Sequence, residues 1–180
     1  MIDSVIFDCD GTLLDSMPAW HAMQESLAEE AGISLNPLQL VRLNANTLPE
    51  TAAFFHEECG LGASTEAVLE NARRVLLEAY RTSVPARSGA VELVRRLSED
   101  GVKLAVASSS PVEFLQAGLE RAGIYQLFDV VASARRRGEN EKRPPSSLRA
   151  WRFAWAPIPQ TAGALTTRLM RSGLWLRQAS

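Results

Sequence analysis

Two aspartates two residues apart, Asp8 and Asp10, lie in Asp8-Cys9-Asp10-Gly11-Thr12, directly after the apolar run Ser4-Val5-Ile6-Phe7. An apolar run that turns polar and stops at a glycine reads as a buried strand whose carboxyl end carries the acids. Side chains alternate along a strand, so both carboxylates share one side and Cys9 faces the other. In open parallel sheets, ligands bind at that end of the strands. One carboxylate there can attack phosphorus, while its neighbour protonates the leaving oxygen and then activates water. The pair also invites a hard cation such as Mg2+. Gly11 permits close backbone approach and Thr12 adds a hydroxyl. Taken alone, an acid-rich turn is also compatible with a solvated loop; the strand in front of it argues for a site.

The elements that would position these residues alternate in rhythm. After Asp15-Ser16, Pro18 suits a first helical turn, and Trp20, Met23, Leu27 and Ala31 recur at helical steps until Gly32. Pro37 to Leu43, Pro49 to Cys59 and Ser64 to Val84 read as further helices, the last with Ser64 as cap and Val68, Ala72, Val75, Leu76 and Ala79 as its buried stripe. From Pro85 the pattern changes. Gly89 to Glu99 is helical, with Val91, Leu93, Val94 and Leu97 apolar, and Lys103 to Ala107 is a buried strand. Ser108-Ser109-Ser110-Pro111 opens a helix carrying Val112, Leu115 and Leu119, and Phe128 to Ala132 is a third strand. Strand–helix–strand alternation predicts an α/β fold with a parallel sheet and crossover helices. Residues 16–84 form an all-helical insertion after the first strand. The core is then 1–15 and 85–133.

Composition bounds the classes. Of the 180 residues, 46% are hydrophobic and 22% charged, enough to bury a core and too apolar for a disordered chain. No apolar run approaches the ~20 residues that span a bilayer. Met1 leads into Ile2-Asp3-Ser4-Val5 without a basic stretch, so no signal peptide and no membrane association are expected. Two cysteines, Cys9 and Cys59, are too few to staple a fold and fit a cytoplasmic location. Cys9 is expected to be buried packing. His21 and His56 lack metal-ligand spacing. The Arg135-Arg136-Arg137 run has no aromatic stacking platform around it, which speaks against a nucleic-acid role.

With these residues on the page, a resemblance emerges. Phe7-Asp8-Cys9-Asp10-Gly11-Thr12-Leu13-Leu14-Asp15-Ser16 resembles the first motif of the haloacid dehalogenase-like (HAD) phosphatases, in the branch of β-phosphoglucomutase and phosphoglycolate phosphatase. Val106-Ala107-Ser108-Ser109-Ser110-Pro111 is similar to the second motif, and the resemblance covers residues 1–133. It implies a doubly wound parallel-sheet core with a helical cap. It implies Asp8 as the nucleophile that becomes aspartyl phosphate and Asp10 as general acid/base. Ser108, Ser109, Gly11 and Thr12 would hold the phosphoryl group, helped by N–H groups at the following helix start. Mg2+ would be the cofactor, held by Asp8, the Asp10 main-chain carbonyl and a downstream acid. The partner would be a small phosphorylated metabolite bound by a monomer, and the outcome hydrolysis or, as in β-phosphoglucomutase, phosphoryl transfer. True dehalogenases lack an acid matching Asp10. Phosphonoacetaldehyde hydrolases need a cap lysine, whereas the lysines here are Lys103 and Lys142. Phosphate ester chemistry remains.

The tail departs from the pattern. Residues 1–133 hold 9 Lys+Arg against 19 Asp+Glu, residues 134–180 hold 10 against 2, and nothing after Glu141 is acidic. Three of the four tryptophans, Trp151, Trp155 and Trp175, also lie there. The family's third-motif lysine has Lys142, before Pro144, as its one candidate, with poorly matching flanks. The downstream acidic metal ligand is absent from 142–180, so the core reads as truncated, 134–180 as an atypical basic tail without the strands that complete the sheet, and activity as impaired. A non-catalytic remnant that keeps the phosphate pocket is the competing class. Arginine-, alanine- and tryptophan-rich sequence without acids resembles GC-rich coding DNA read out of frame. The genetic code permits synonymous codons for Ala164–Met170 whose shifted reading is Phe-Asp-Asp-Ser-Ala-Tyr, an acidic motif. In the other frame Arg135-Arg136-Arg137-Gly138 can read Asp-Asp-Val-Gly, and Pro145-Ser146-Ser147-Leu148-Arg149 can read Pro-Ala-Val-Tyr-Glu. Both suit the third-motif region.

The nucleotide sequence checks this directly. Shifted frames are expected to encode Asp-Asp-Val-Gly over the Arg135 codons and Phe-Asp-Asp-Ser over those starting at Ala164. Unrelated peptides in both frames would refute the frame changes.

Overall fold

The computed structural model describes residues 2–133 and 174–178. Strand β1 (Ile2–Phe7) leads into four cap helices: α1 (Met17–Glu30), α2 (Pro37–Ala45), α3 (Leu48–Ala53) and α4 (Thr65–Thr82). Then follow α5 (Ala90–Glu99), β2 (Lys103–Ser108), α6 (Val112–Arg121), β3 (Val130–Ser133) and β4 (Leu174–Gln178). The sheet order is β3-β2-β1-β4, with β1, β2 and β3 parallel. Ser4 pairs with Lys103 and Phe7 with Val106, so β1 and β2 end side by side. That register brings the acids of the first motif beside the serines of the second.

Local signals explain where the cap helices begin. Asn36 accepts from the Gln39 N–H while Gln39 answers the Asn36 N–H, and Thr47 with Glu50 repeats the arrangement, each satisfying amide donors at a helix start. The Ser64 side chain caps α4 through the Ala67 N–H. The segment expected as one helix from Pro49 to Cys59 is divided, with α3 passing into a π-helical turn at Phe54–Glu58. Phe54 and Phe55 on that turn are both buried, edge to face at 5.2 Å. They pack with Met23, Leu27, Leu43, Leu48, Val68, Ala72 and Leu76 in one apolar cluster.

In the core, Val5 and Phe7 of β1 and Leu104 and Val106 of β2 are buried, joined by Val94 of α5 and by Phe114, Leu115 and Leu119 of α6. Two apolar residues of the predicted helices are exposed, Leu93 and Val112, each at 41%. For α5 the reason is helical geometry: three- and four-residue steps from Val94 reach Ala90, Val91 and Leu97, but not Leu93. Val112 opens α6, ahead of the seam formed by Phe114, Leu115, Gly118 and Leu119.

Two crossing strands join cap to core. The Asp15 N–H donates to the Pro85 carbonyl and the Arg87 N–H to the Leu13 carbonyl, both at 2.9 Å. Arg87 also pairs with Asp15 at 3.1 Å, an exposed contact worth at most ~1 kcal/mol. The basic tail supplies a strand. β4 runs antiparallel to β1, with Phe7 opposite Leu174, and carries no carboxylate. Its Leu-Trp-Leu run pairs with the edge of β1 that would otherwise stay open. Among the described residues, no helix is long and apolar enough to cross a membrane.

Candidate active site

The site is built where β1 and β2 end. Beyond Phe7 the chain carries Asp8 and Asp10 on one side, with fully buried Cys9 between them. Burial and the two flanking carboxylates push the Cys9 thiol well above its ordinary range, so it stays protonated and serves as packing. Gly11 turns the chain with φ of +73°, a conformation that favours glycine. The amides of Thr12, Leu13 and Leu14 return to the Cys9 carbonyl, and the Gly11 N–H donates to the Leu14 carbonyl at 2.8 Å. The main-chain donors of Gly11 and Thr12 are thus engaged within the loop.

Asp8 is half-buried, and burial raises its carboxyl above the usual carboxylate range. The Asp10 charge pushes the same way. The Cys9 N–H, which donates to Asp8 Oδ1 at 2.7 Å, and the Ser108 hydroxyl oppose it.

Asp10 has a different environment. Its Oδ2 accepts from Ser110 Oγ at 2.6 Å and from Ser108 Oγ at 3.2 Å, both at the end of β2. Its Oδ1 accepts from Ser16 Oγ at 2.7 Å and from the Tyr80 hydroxyl. A carboxylate offers about four lone-pair sites, and here four hydroxyls fill them. Ser108 in turn accepts the Ser110 N–H at 3.3 Å, which fixes its hydroxyl toward Asp10.

Asp8, Asp10 and Ser108 therefore come together as the sequence implied, and Ser109 lies exposed on the same loop. Lys142 lies outside the described residues. His21 bonds Asn44 at 3.1 Å and His56 bonds the Leu61 carbonyl at 2.8 Å. Ser16, Tyr80 and Ser110 were not foreseen. The available signal was chemical: Tyr80 falls four residues beyond Leu76, on the buried stripe of α4, and a buried phenol needs a partner.

The donor set of the described residues does not by itself make a complete Mg2+ site. Among the described residues, no three His, Cys, Asp or Glu side chains converge. Mg2+ demands a near-octahedral oxygen shell. The Asp10 carboxylate is filled by hydroxyls, which leaves Asp8 and the Asp10 main-chain carbonyl as the oxygens this motif offers.

Known proteins with similar sequences and folds supply the family. A family model described as haloacid dehalogenase-like hydrolase matches residues 5–149, beyond the 1–133 that carry the motif resemblance and far enough to include Lys142. Hexitol phosphatase B of Escherichia coli (strain K12) is 25% identical over 150 residues, spanning 78% of this chain and 64% of that protein. The chain thus spans a little under two thirds of that relative. Phosphoglycolate phosphatase of Cereibacter sphaeroides is 25% identical over 177 residues, covering 92% of this chain and 73% of the other. The crystal structure of CbbY from Rhodobacter sphaeroides in complex with phosphate superposes with a TM-score of 0.57 at 21% identity, covering 74% of this chain and 64% of that one.

The burial of Asp8 has a consequence for stability. Its folded pKa lies above the unfolded value, so the native state binds more protons and stability falls as pH rises through that window. Asp8→Asn keeps an acceptor for the Cys9 N–H but removes the buried charge. It should raise the thermal midpoint at pH 7 and lose that advantage in acid, below the ordinary carboxylate range. An Asp8→Asn protein less stable than wild type at pH 7 would contradict this reading of the site.

Proposed function

The chain belongs to the haloacid dehalogenase-like hydrolases, and from that premise we propose that it carries a phosphatase site for a small organic phosphate, centred on Asp8 and Asp10. The observation that carries the proposal is the juxtaposition of both acids at the end of β1 with Ser108 at the end of β2. Asp8 attacks phosphorus, its Oδ–P bond forming as the bond from phosphorus to the leaving oxygen breaks. Asp10, which first exchanges one of its hydroxyl donors for a proton, gives that proton to the leaving oxygen. Asp10 then takes a proton from water as water attacks the aspartyl phosphate, releasing inorganic phosphate and restoring Asp8. Ser108 and the N-terminus of α6 orient the phosphoryl oxygens.

Electrostatics set the rate. An anionic nucleophile attacking a phosphate dianion needs positive charge nearby, and positioning and charge stabilisation supply most of phosphoryl-transfer catalysis. The described site offers hydroxyls and amides, which do not offset a full charge. Removal of one key electrostatic partner already lowers rates by ~10²–10³. The chain as written is therefore an impaired member of its family.

The expected result is turnover of an aryl phosphate by the 180-residue chain barely above background, changed little by Mg2+, with Asp8→Asn removing what remains. Fast, Mg2+-dependent hydrolysis that Asp8→Asn abolishes would show that the site is complete. Residual turnover that survives Asp8→Asn would refute the nucleophile.

A further inference from the structure

Asp10 draws its hydroxyl donors from both halves of the molecule. Ser108 and Ser110 belong to the core, Ser16 to the passage into the cap, and Tyr80 to the last cap helix. Tyr80 is itself tightly constrained. It is fully buried, and its ring stacks on Phe114 of α6 at 5.3 Å with an interplanar angle of 28°. The Trp20 indole N–H of α1 donates to the Tyr80 hydroxyl at 3.0 Å. Gly118 of α6 faces the same ring: a Cβ there would lie 3.1 Å from Tyr80 Cδ1 and would collide with Leu14. Thus the oxygen of Tyr80 accepts from the cap and its proton goes to Asp10, while core helix α6 fixes the ring plane.

We propose that Tyr80 is a positioning residue for Asp10, forming with Trp20 a relay that sets the carboxylate's orientation and ties it to the cap. The proposal rests on the assignment of Asp10 as the acid/base. Burial and the adjacent carboxylate hold the phenol far above its ordinary range, so Tyr80 remains a donor. A carboxylate gripped on one oxygen by the core and on the other by the hinge and cap has little freedom to rotate. Movement of α4 or α1 relative to β1 then moves the Asp10 carboxylate. A phosphoryl oxygen that captured the Ser108 hydroxyl would remove one of Asp10's core donors, and the relay would register that change at Trp20.

The test uses the full chain with 15N-labelled indoles, the Trp20 signal being assigned by its loss in Trp20→Phe. Asp10→Asn replaces the charged acceptor of the Tyr80 proton and should shift the Trp20 indole N–H resonance, whereas Asp8→Asn should leave it in place. No shift with Asp10→Asn, or equal shifts with both, overturns the relay. Residual turnover at high enzyme concentration gives the second readout. Tyr80→Phe should lower kcat for an alkyl phosphate about tenfold, as expected for loss of one charge-assisted hydrogen bond, with KM unchanged. The loss should be smaller for an aryl phosphate, whose leaving group needs less help from an acid. An unchanged kcat, or equal losses on both substrates, overturns the positioning role. If no Asp8-dependent turnover is found, the phosphatase assignment fails, and the Trp20 resonance still decides the relay.

Discussion

Two carboxylates at the end of one strand, both partly withdrawn from water, constrain everything around them. Their charges repel, and burial disfavours Asp8 in its ionised form. The molecule handles the two differently. Asp8 keeps one main-chain donor and carries the unfavourable effect of burial, while Asp10 is surrounded by hydroxyls from four separate positions. Hydrogen bonds to a charged group contribute about 1.5–3 kcal/mol each, and an unsatisfied buried charge is far more destabilising than that. The parallel register of β1 and β2, the turn at Gly11 and the docking of α4 onto α6 all serve to bring those donors within reach.

The same arrangement suits the two roles proposed for the acids. A nucleophile must have a free lone pair, and Asp8 retains one oxygen without a hydrogen bond from its neighbours' amides. An acid/base must be oriented, and Asp10 is. The proposed impairment follows from charge: among the described residues the donors around the acids are neutral, and neutral donors orient a phosphate better than they offset its charge.

Much of this was legible in the sequence because it is local. Asp8, Asp10 and Gly11 sit within one strand and its turn, and Ser108 ends the next apolar run, so period-two alternation and strand–helix–strand rhythm suffice to place them. Tyr80 was not legible as a site residue, because its partner lies seventy positions away and helical periodicity describes it only as one more buried residue of α4. The exposure of Leu93 shows the same limit in reverse: apolarity marks a candidate for burial, and the neighbouring element decides which candidates are covered. β4 escaped notice because its partner edge is set by sheet topology, and a short Leu-Trp-Leu run among basic residues carries little periodic signal.

The central claim is that phosphoryl chemistry resides on Asp8. The most direct measurement is prolonged incubation of the full chain with a small reactive phosphoryl donor, followed by mass spectrometry of acid-quenched peptides, since covalent labelling tolerates a slow step. A single phosphoryl group on the peptide bearing Asp8, absent in Asp8→Asn and retained in Asp10→Asn, is the predicted result. An unlabelled Asp8 peptide, or a label that persists in Asp8→Asn, would contradict it.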